Sequence, residues 1–261
     1  MDRFDQIKTL IESSEESLSE IERLYKESLS KKEIDPKLLV KIKNFLENLR
    51  ASLDYSAKEI FERYCSSSGK HINTYFPILK ESSRNEDFES FMKGCFPGLC
   101  DSKNSIFLKL RNYQCFSNQT NENKILLQFK NICDENKHEN LSPQTRIERN
   151  ENRLTDSTGR IMGWNDDVIF GDNKIIFRGN GRLSFGPGGS LGFTPRGIKI
   201  LDRPVNSYTQ KPELAEGDKL EKLVWVDFVF SDTKISVLPF MKNILNITKK
   251  ITKEMDDEIK K

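Results

Sequence analysis

From Ile7 onward the chain sets apolar residues at a helical period. Ile7, Ile11, Leu18, Ile21 and Tyr25 follow a three-four spacing, with Ser14 and Ser28 at the remaining stripe positions. This predicts a long amphipathic helix whose thin seam needs a partner. A second helix starts cleanly. Asp35 is its N-cap, Pro36 takes the first helical position, where the missing N–H costs nothing, and Ile34 is placed to pack on Leu39. Its stripe of Leu39, Ile42, Leu46, Leu49, Leu53, Ile60 and Tyr64 runs for about seven turns. Ser66-Ser67-Ser68-Gly69 ends it.

The stretch from Lys70 to Lys80, containing Tyr75-Phe76-Pro77-Ile78, reads as an extended connection or a short strand pair. Shorter helices are expected at Glu86 to Lys93, Ser105 to Phe116 and Asn123 to Asn136, with a loop at Gly94 to Asn104. Ser117-Asn118-Gln119-Thr120 supplies the turn between the last two helices.

After about Leu141 the period changes. Val168 to Phe170, Lys174 to Phe177, Arg182 to Phe185, Ile198 to Ile200 and Leu223 to Phe230 are short β-prone runs, which predicts an antiparallel sheet of about five strands. Gly171-Asp172-Asn173 and Gly179-Asn180-Gly181 read as hairpin turns. A closing helix begins near Ser236 and tolerates Pro239 in its first turn. Its stripe of Leu238, Met241, Ile244 or Leu245, Thr248, Ile251 and Met255 is long enough to call for a return to the helices. The fold class is therefore α+β. An antiparallel helical bundle is expected over residues 1–140, a β-rich extension over 141–235, and a C-terminal helix over 236–261 packing back on the bundle.

Composition narrows the partners. Lys and Arg number 42 against 40 Asp and Glu, so attraction to nucleic acid or acidic lipid has to come from a local patch. The opening Met1-Asp2-Arg3-Phe4-Asp5-Gln6 lacks a signal-peptide layout and no run of 18 apolar residues occurs, so no membrane partner and a cytoplasmic location are expected. Cys65, Cys95, Cys100, Cys115 and Cys133 are odd in number and scattered, as reduced thiols would be. Cys95 and Cys100 invite a zinc reading with Cys115, Cys133 and His138, but the later ligands come singly at irregular distances, so neither metal nor cofactor is expected.

Candidate chemistry sits at polar positions beside the stripes. Arg50 and Asp54 are one turn apart in the row Glu47, Arg50, Asp54, Ala57 and Phe61, at the margin of the core. They form either a structural pair at a bundle edge or part of a site. Lys137 and His138 follow the helix ending near Asn136, where a helix C-terminus favours a protonated imidazole. Gly186-Pro187-Gly188-Gly189-Ser190-Leu191-Gly192 lacks the ending of a phosphate-binding loop and reads as a hairpin or bulge. Arg178, Arg182, Arg196 and Arg203 stand beside Phe177, Phe185 and Phe193, the mixture of a nucleic-acid groove. The same text also describes a half-buried sheet with its phenylalanines turned inward.

Asn48-Leu49-Arg50, Leu53-Asp54-Tyr55, Phe76-Pro77-Ile78, Ile106 through Leu110 to Tyr113, and Asn131 with Lys137-His138 together resemble a family of uncharacterised bacterial proteins. That family has an N-terminal bundle similar to the HEPN domain, followed by a β-rich extension and a final helix. The resemblance covers about residues 36 to 140. It implies a ribonuclease in which an Arg and a His share one helix, the His as acid or base and the Arg on phosphate charge. Here Arg50 has no nearby histidine, and Arg63 and His71 straddle Gly69.

Three functional expectations follow. The first is a non-catalytic binding or regulatory module with a protein partner. The second is a metal-independent endoribonuclease of toxin or phage-defence type, with His138 as acid or base, Arg50 and Lys137 on phosphate, and Asp54 as orienter. The third is a homodimeric structural protein, because the first helix has a seam seeking a partner. RNA is a candidate ligand of Arg178, Arg182 and Arg196.

Overall fold

The computed structural model describes residues 2–31, 34–65, 74–138, 144–171, 174–178, 181–194 and 197–261. Two compact units emerge, residues 1–145 with 228–261, and residues 146–227. The first holds the helices α1 (Arg3–Lys31), α2 (Pro36–Tyr64), α3 (Asn85–Cys95), α4 (Leu99–Ser102), α5 (Asn104–Asn112), α6 (Asn121–His138) and α7 (Val237–Ile259).

Helix α2 is the spine of this helical unit. Asp35 caps it, its carboxylate accepting from Lys37 N at 2.8 Å, and Leu38, Ile42, Phe45, Leu46, Leu49, Leu53 and Ile60 are buried along it. Helices α1, α6 and α7 pack against it. The seam of α1, with Ile7, Ser14, Ile21, Tyr25 and Ser28 all buried, is covered by α2 and α7 of the same chain. The partner that the seam requires is therefore internal. Helix α7 buries Phe240, Met241, Ile244, Ile251 and Met255, and aromatic contacts anchor its approach. Phe230 meets Phe240 edge-on with centroids 5.7 Å apart, and Phe228 meets Tyr25 at 5.4 Å. The Phe228 amide also donates to the Tyr25 hydroxyl at 3.0 Å.

Two details differ from the expectation. The helix expected to reach Phe116 stops at Asn112, because the Gln114 amide turns inward and donates to Leu110 O at 2.8 Å and Pro77 O at 2.9 Å. The loop expected over residues 94–104 contains the single turn α4, which Gly98 admits by taking φ 80°.

The β unit carries more strands than the β-prone runs suggest. Ten strands occur among the described residues: β1 (Gln144–Thr155), β2 (Ile161–Trp164), β3 (Val168–Phe170), β4 (Ile175–Phe177), β5 (Leu183–Phe185), β6 (Leu191–Thr194), β7 (Gly197–Ile200), β8 (Arg203–Asn206), β9 (Lys211–Pro212) and β10 (Lys219–Phe230). They form three sheets, ordered β10-β1-β2-β5, β3-β4 and β6-β7-β8-β9, rather than one sheet of about five strands. Strand β1 hides from periodicity because it reads Gln-Thr-Arg-Ile-Glu-Arg-Asn-Glu-Asn-Arg-Leu-Thr and buries a charge. Glu151 is buried on the face opposite Leu154, against Gly163, its carboxylate accepting from Ser184 Oγ at 3.1 Å and Arg153 Nη2 at 2.9 Å. Strands β8 and β9 are short and carry Pro204 and Pro212, which suits edges and strand ends.

The hairpin expected at Gly171 is present, since Phe170 pairs with Ile175 and the Gly171 amide donates to Lys174 O at 2.8 Å; Asp172 and Asn173 lie outside the described residues. The turn expected at Gly179-Asn180-Gly181 falls largely outside the described residues, Gly179 and Asn180 among them, and the strands on either side, β4 and β5, belong to different sheets. The glycine-rich stretch likewise crosses between sheets. The Gly186 amide donates to Ile161 O at 2.9 Å and the Gly189 amide to Gly186 O at 3.0 Å, so neither is turned toward a ligand. A Cβ on Gly189 would lie 2.5 Å from Ile161 O. Leu201 and Asp202 close β7 to β8 at φ 48° and 64°, as a two-residue hairpin of this hand demands, without any Asn-Gly in the text. Burial of Leu201 and an ion pair from Arg160 to Asp202 at 2.8 Å hold the turn.

Leu154, Met162, Trp164, Val168, Phe170, Ile198, Ile200 and Leu201 make the core of this unit. No helix among the described residues is long and apolar enough to cross a membrane.

Candidate functional site

Arg50 and Asp54 are brought together, and what they grip is backbone. Arg50 Nε donates to Asp54 Oδ2 at 3.3 Å, Phe76 N donates to Asp54 Oδ1 at 2.9 Å, and Arg50 Nη2 reaches Phe76 O at 3.5 Å. Residues 74–80 belong to no helix or strand among the described residues, so their peptide groups need other partners. Gln114 supplies the rest, accepting from Leu79 N at 3.0 Å and donating to Pro77 O. With both groups met, Phe76 and Ile78 are buried in the helical core. The pair is thus a strut that seats this segment, and one guanidinium nitrogen, Arg50 Nη1, is buried without an acceptor among the described residues. Gln114 does as much for this segment as Asp54 does. No periodicity could have found it, because a lone glutamine past a helix end carries no pattern.

The other two members of the expected catalytic set are less defined. Lys137 and His138 form the last turn of α6, and their side chains lie outside the described residues, as does His71. Among the described residues no group of His, Cys, Asp and Glu could hold a metal ion. Burial pushes the Cys65 thiol up to about 11 and also raises those of Cys95 and Cys115, as suits inert thiols.

In the β unit the arginines divide. Arg203 turns inward, Nε donating to the wholly buried carboxylate of Asp218 at 2.6 Å, so it faces no ligand. Arg196 lies outside the described residues. Arg178 is exposed and makes no salt bridge among the described residues. Arg182 is exposed, its backbone paired with Asn165, and it borders a cleft of about 230 Å³ with Arg149 and Asp167.

The phenylalanines lie on the apolar faces of their sheets but are left uncovered. Phe177, Phe185 and Phe193 are 54%, 56% and 61% exposed. Each sits on a strand at the end of its sheet as described, β4, β5 and β6 respectively. Each is also register partner to a buried apolar residue of the neighbouring strand: Val168 for Phe177, Met162 for Phe185, and Ile198 for Phe193. Register partners point to the same face. The apolar face of each sheet therefore runs on past its covered part and ends in an uncovered aromatic ring. Sheet edges that carry uncovered apolar side chains are sites for another chain to add to. Alternation in the sequence locates the faces but not the rim, which depends on strand order.

No protein-family model, curated protein or solved structure matches the chain.

Proposed function

We propose that this is a non-catalytic binding protein, in which a HEPN-like helical unit is the scaffold and the edge strands of the β unit take hold of a protein partner. The single observation that carries this reading is the set of half-exposed rings at Phe177, Phe185 and Phe193, each continuing a buried apolar face beyond its rim. Aromatic anchors beside arginine are what protein interfaces are enriched in. An extended partner segment laid along such an edge would gain backbone hydrogen bonds as well as ring burial. A bacterial cytoplasmic setting fits this reading.

The test is affinity capture with the full chain against Phe177→Ser/Phe185→Ser/Phe193→Ser. Wild type is expected to retain a partner that the triple variant loses, and an identical partner set for both overturns the reading. Labelled single-stranded RNA in the same assay, with Arg178→Ala/Arg182→Ala as the variant, tells whether the arginines hold RNA instead.

The competing reading is the metal-independent endoribonuclease, and it draws on Arg50 Nη1, a buried donor with no acceptor that a phosphate oxygen would satisfy. It predicts RNA cleavage in EDTA by wild type and none by His138→Ala. Equal inactivity of the two proteins removes it.

A further inference from the structure

The β unit also contains a cleft of about 360 Å³, whose lining includes none of the three edge phenylalanines. That size is at the small end for ligand sites, suited to a one- or two-ring molecule. Trp164 and Val168, each 3% exposed, bring the unit's core to its lining, with Ile169 and Leu220 beside them. Its walls are fixed by hydrogen bonds. Gln210 is clamped to the backbone of Phe170, accepting from the amide at 2.6 Å and donating to the carbonyl at 3.1 Å, so the 209–211 side is tied to β3. Opposite, Asp166 accepts from Asn152 Nδ2 at 3.0 Å and from Lys222 Nζ at 2.8 Å. Those bonds, Lys222 first, hold the Asp166 carboxyl below the ordinary carboxylate range, so at neutral pH its charge is present and matched by Lys222.

What the cleft has left to offer is specific. Asn152 and Lys222 both donate to Asp166, which takes up part of their hydrogen-bonding capacity and weighs against the many hydroxyls of a sugar. Lys211 borders the cleft, is exposed and makes no salt bridge among the described residues, so one positive charge is unmatched. The lining is mixed, and its apolar part, Trp164, Val168, Ile169 and Leu220, favours one apolar ring, while a single free ammonium favours a single negative group. We propose that this cleft binds a small aromatic carboxylate, its ring against Trp164 and Val168 and its carboxylate at Lys211. The proposal is independent of the edge-strand reading.

Isothermal titration of the full-length protein with 1-naphthaleneacetate and its neutral twin 1-naphthaleneacetamide tests it. The expected result is saturable one-to-one binding of the acetate, with the amide at least tenfold weaker. Lys211→Met should reduce acetate affinity to the level of the amide, whereas Lys174→Met, an exposed lysine outside the cleft, should leave it unchanged. The Phe177→Ser/Phe185→Ser/Phe193→Ser variant should bind the acetate as wild type does, which separates this result from the partner assay. No saturable binding of the acetate, equal binding of the amide, or indifference to Lys211→Met overturns the proposal.

Discussion

The two units solve the same problem of burial by different means. The helical unit has one extensive apolar core to which α1, α2, α6 and α7 all contribute; Asp54 and Gln114 at its margin serve peptide groups outside any sheet, and Glu59 and Glu258 are buried in ion pairs with Arg3 and Lys261. The β unit has a smaller core, a cluster of eight buried apolar side chains among the described residues, and around it sets ion pairs with one partner buried. Arg203 meets Asp218 at 2.6 Å, Arg160 meets Asp156 at 2.7 Å and Arg149 meets Asp227 at 2.9 Å. A thin core supplemented by buried carboxylates ties stability to their ionisation, whereas burial of hydrocarbon is indifferent to pH.

Both tryptophans of the chain, Trp164 and Trp225, lie in the β unit. Tryptophan fluorescence therefore follows that unit and far-ultraviolet circular dichroism mainly follows the helices, which makes the contrast measurable.

The largest effect is expected from Phe129→Ala, which empties a fully buried site in the helical core. It should cost about 3–5 kcal/mol in denaturant unfolding read by circular dichroism. A loss under about 1 kcal/mol would show that the core collapses around the gap and is less closely packed than the full burial of Phe129 implies. Next comes Asp227→Asn, which leaves Arg149 facing a neutral amide and should cost about 3 kcal/mol, the low end for breaking a buried pair. This loss should appear in the fluorescence transition.

Acid sharpens the comparison further. The hydrogen bond from Arg203 holds the Asp218 carboxyl down at about 2, and bonds from Thr158 and then Arg160 hold Asp156 well below the usual range. For a depressed carboxyl the stabilisation is complete above its unfolded value of about 3.9 and is lost as pH falls toward the folded one. The fluorescence transition should therefore begin between about pH 4 and pH 2, ahead of the helical signal, and coincident transitions would erase the distinction. Asp54→Asn should cost about 1–3 kcal/mol in the helical unit, since the Arg50 partner is weakened and the Phe76 amide keeps at best a neutral acceptor. The smallest effect, about 1 kcal/mol, belongs to Asp35→Ala, which removes the cap of α2.

These contrasts also explain what could be read from the sequence. Helix α2 was legible from Asp35-Pro36 and its stripe, and α7 from Ser236 onward, because a helix on a core repeats its apolar positions locally. Strand β1 was illegible because it buries Glu151 on the face opposite Leu154, with a partner, Ser184, 33 residues away. The turn at Leu201 and Asp202 was equally hidden, since tertiary burial holds a backbone conformation that neither residue prefers. At the candidate site, the aromatic and arginine residues stood out in the text, but whether Phe185 faces core or water depended on β5 ending its sheet.

By itself the sequence determined the long helices, the change to β structure and the pairing of Arg50 with Asp54, all of which act over one or a few turns. Only the tertiary structure decided that Asp54 and Gln114 seat the Phe76 segment, that Arg203 turns inward, and that three phenylalanines are left at sheet edges. The physical reason is range. Periodicity and capping are local, whereas a buried carboxylate's partner and a strand's place in its sheet are set by residues far away along the chain.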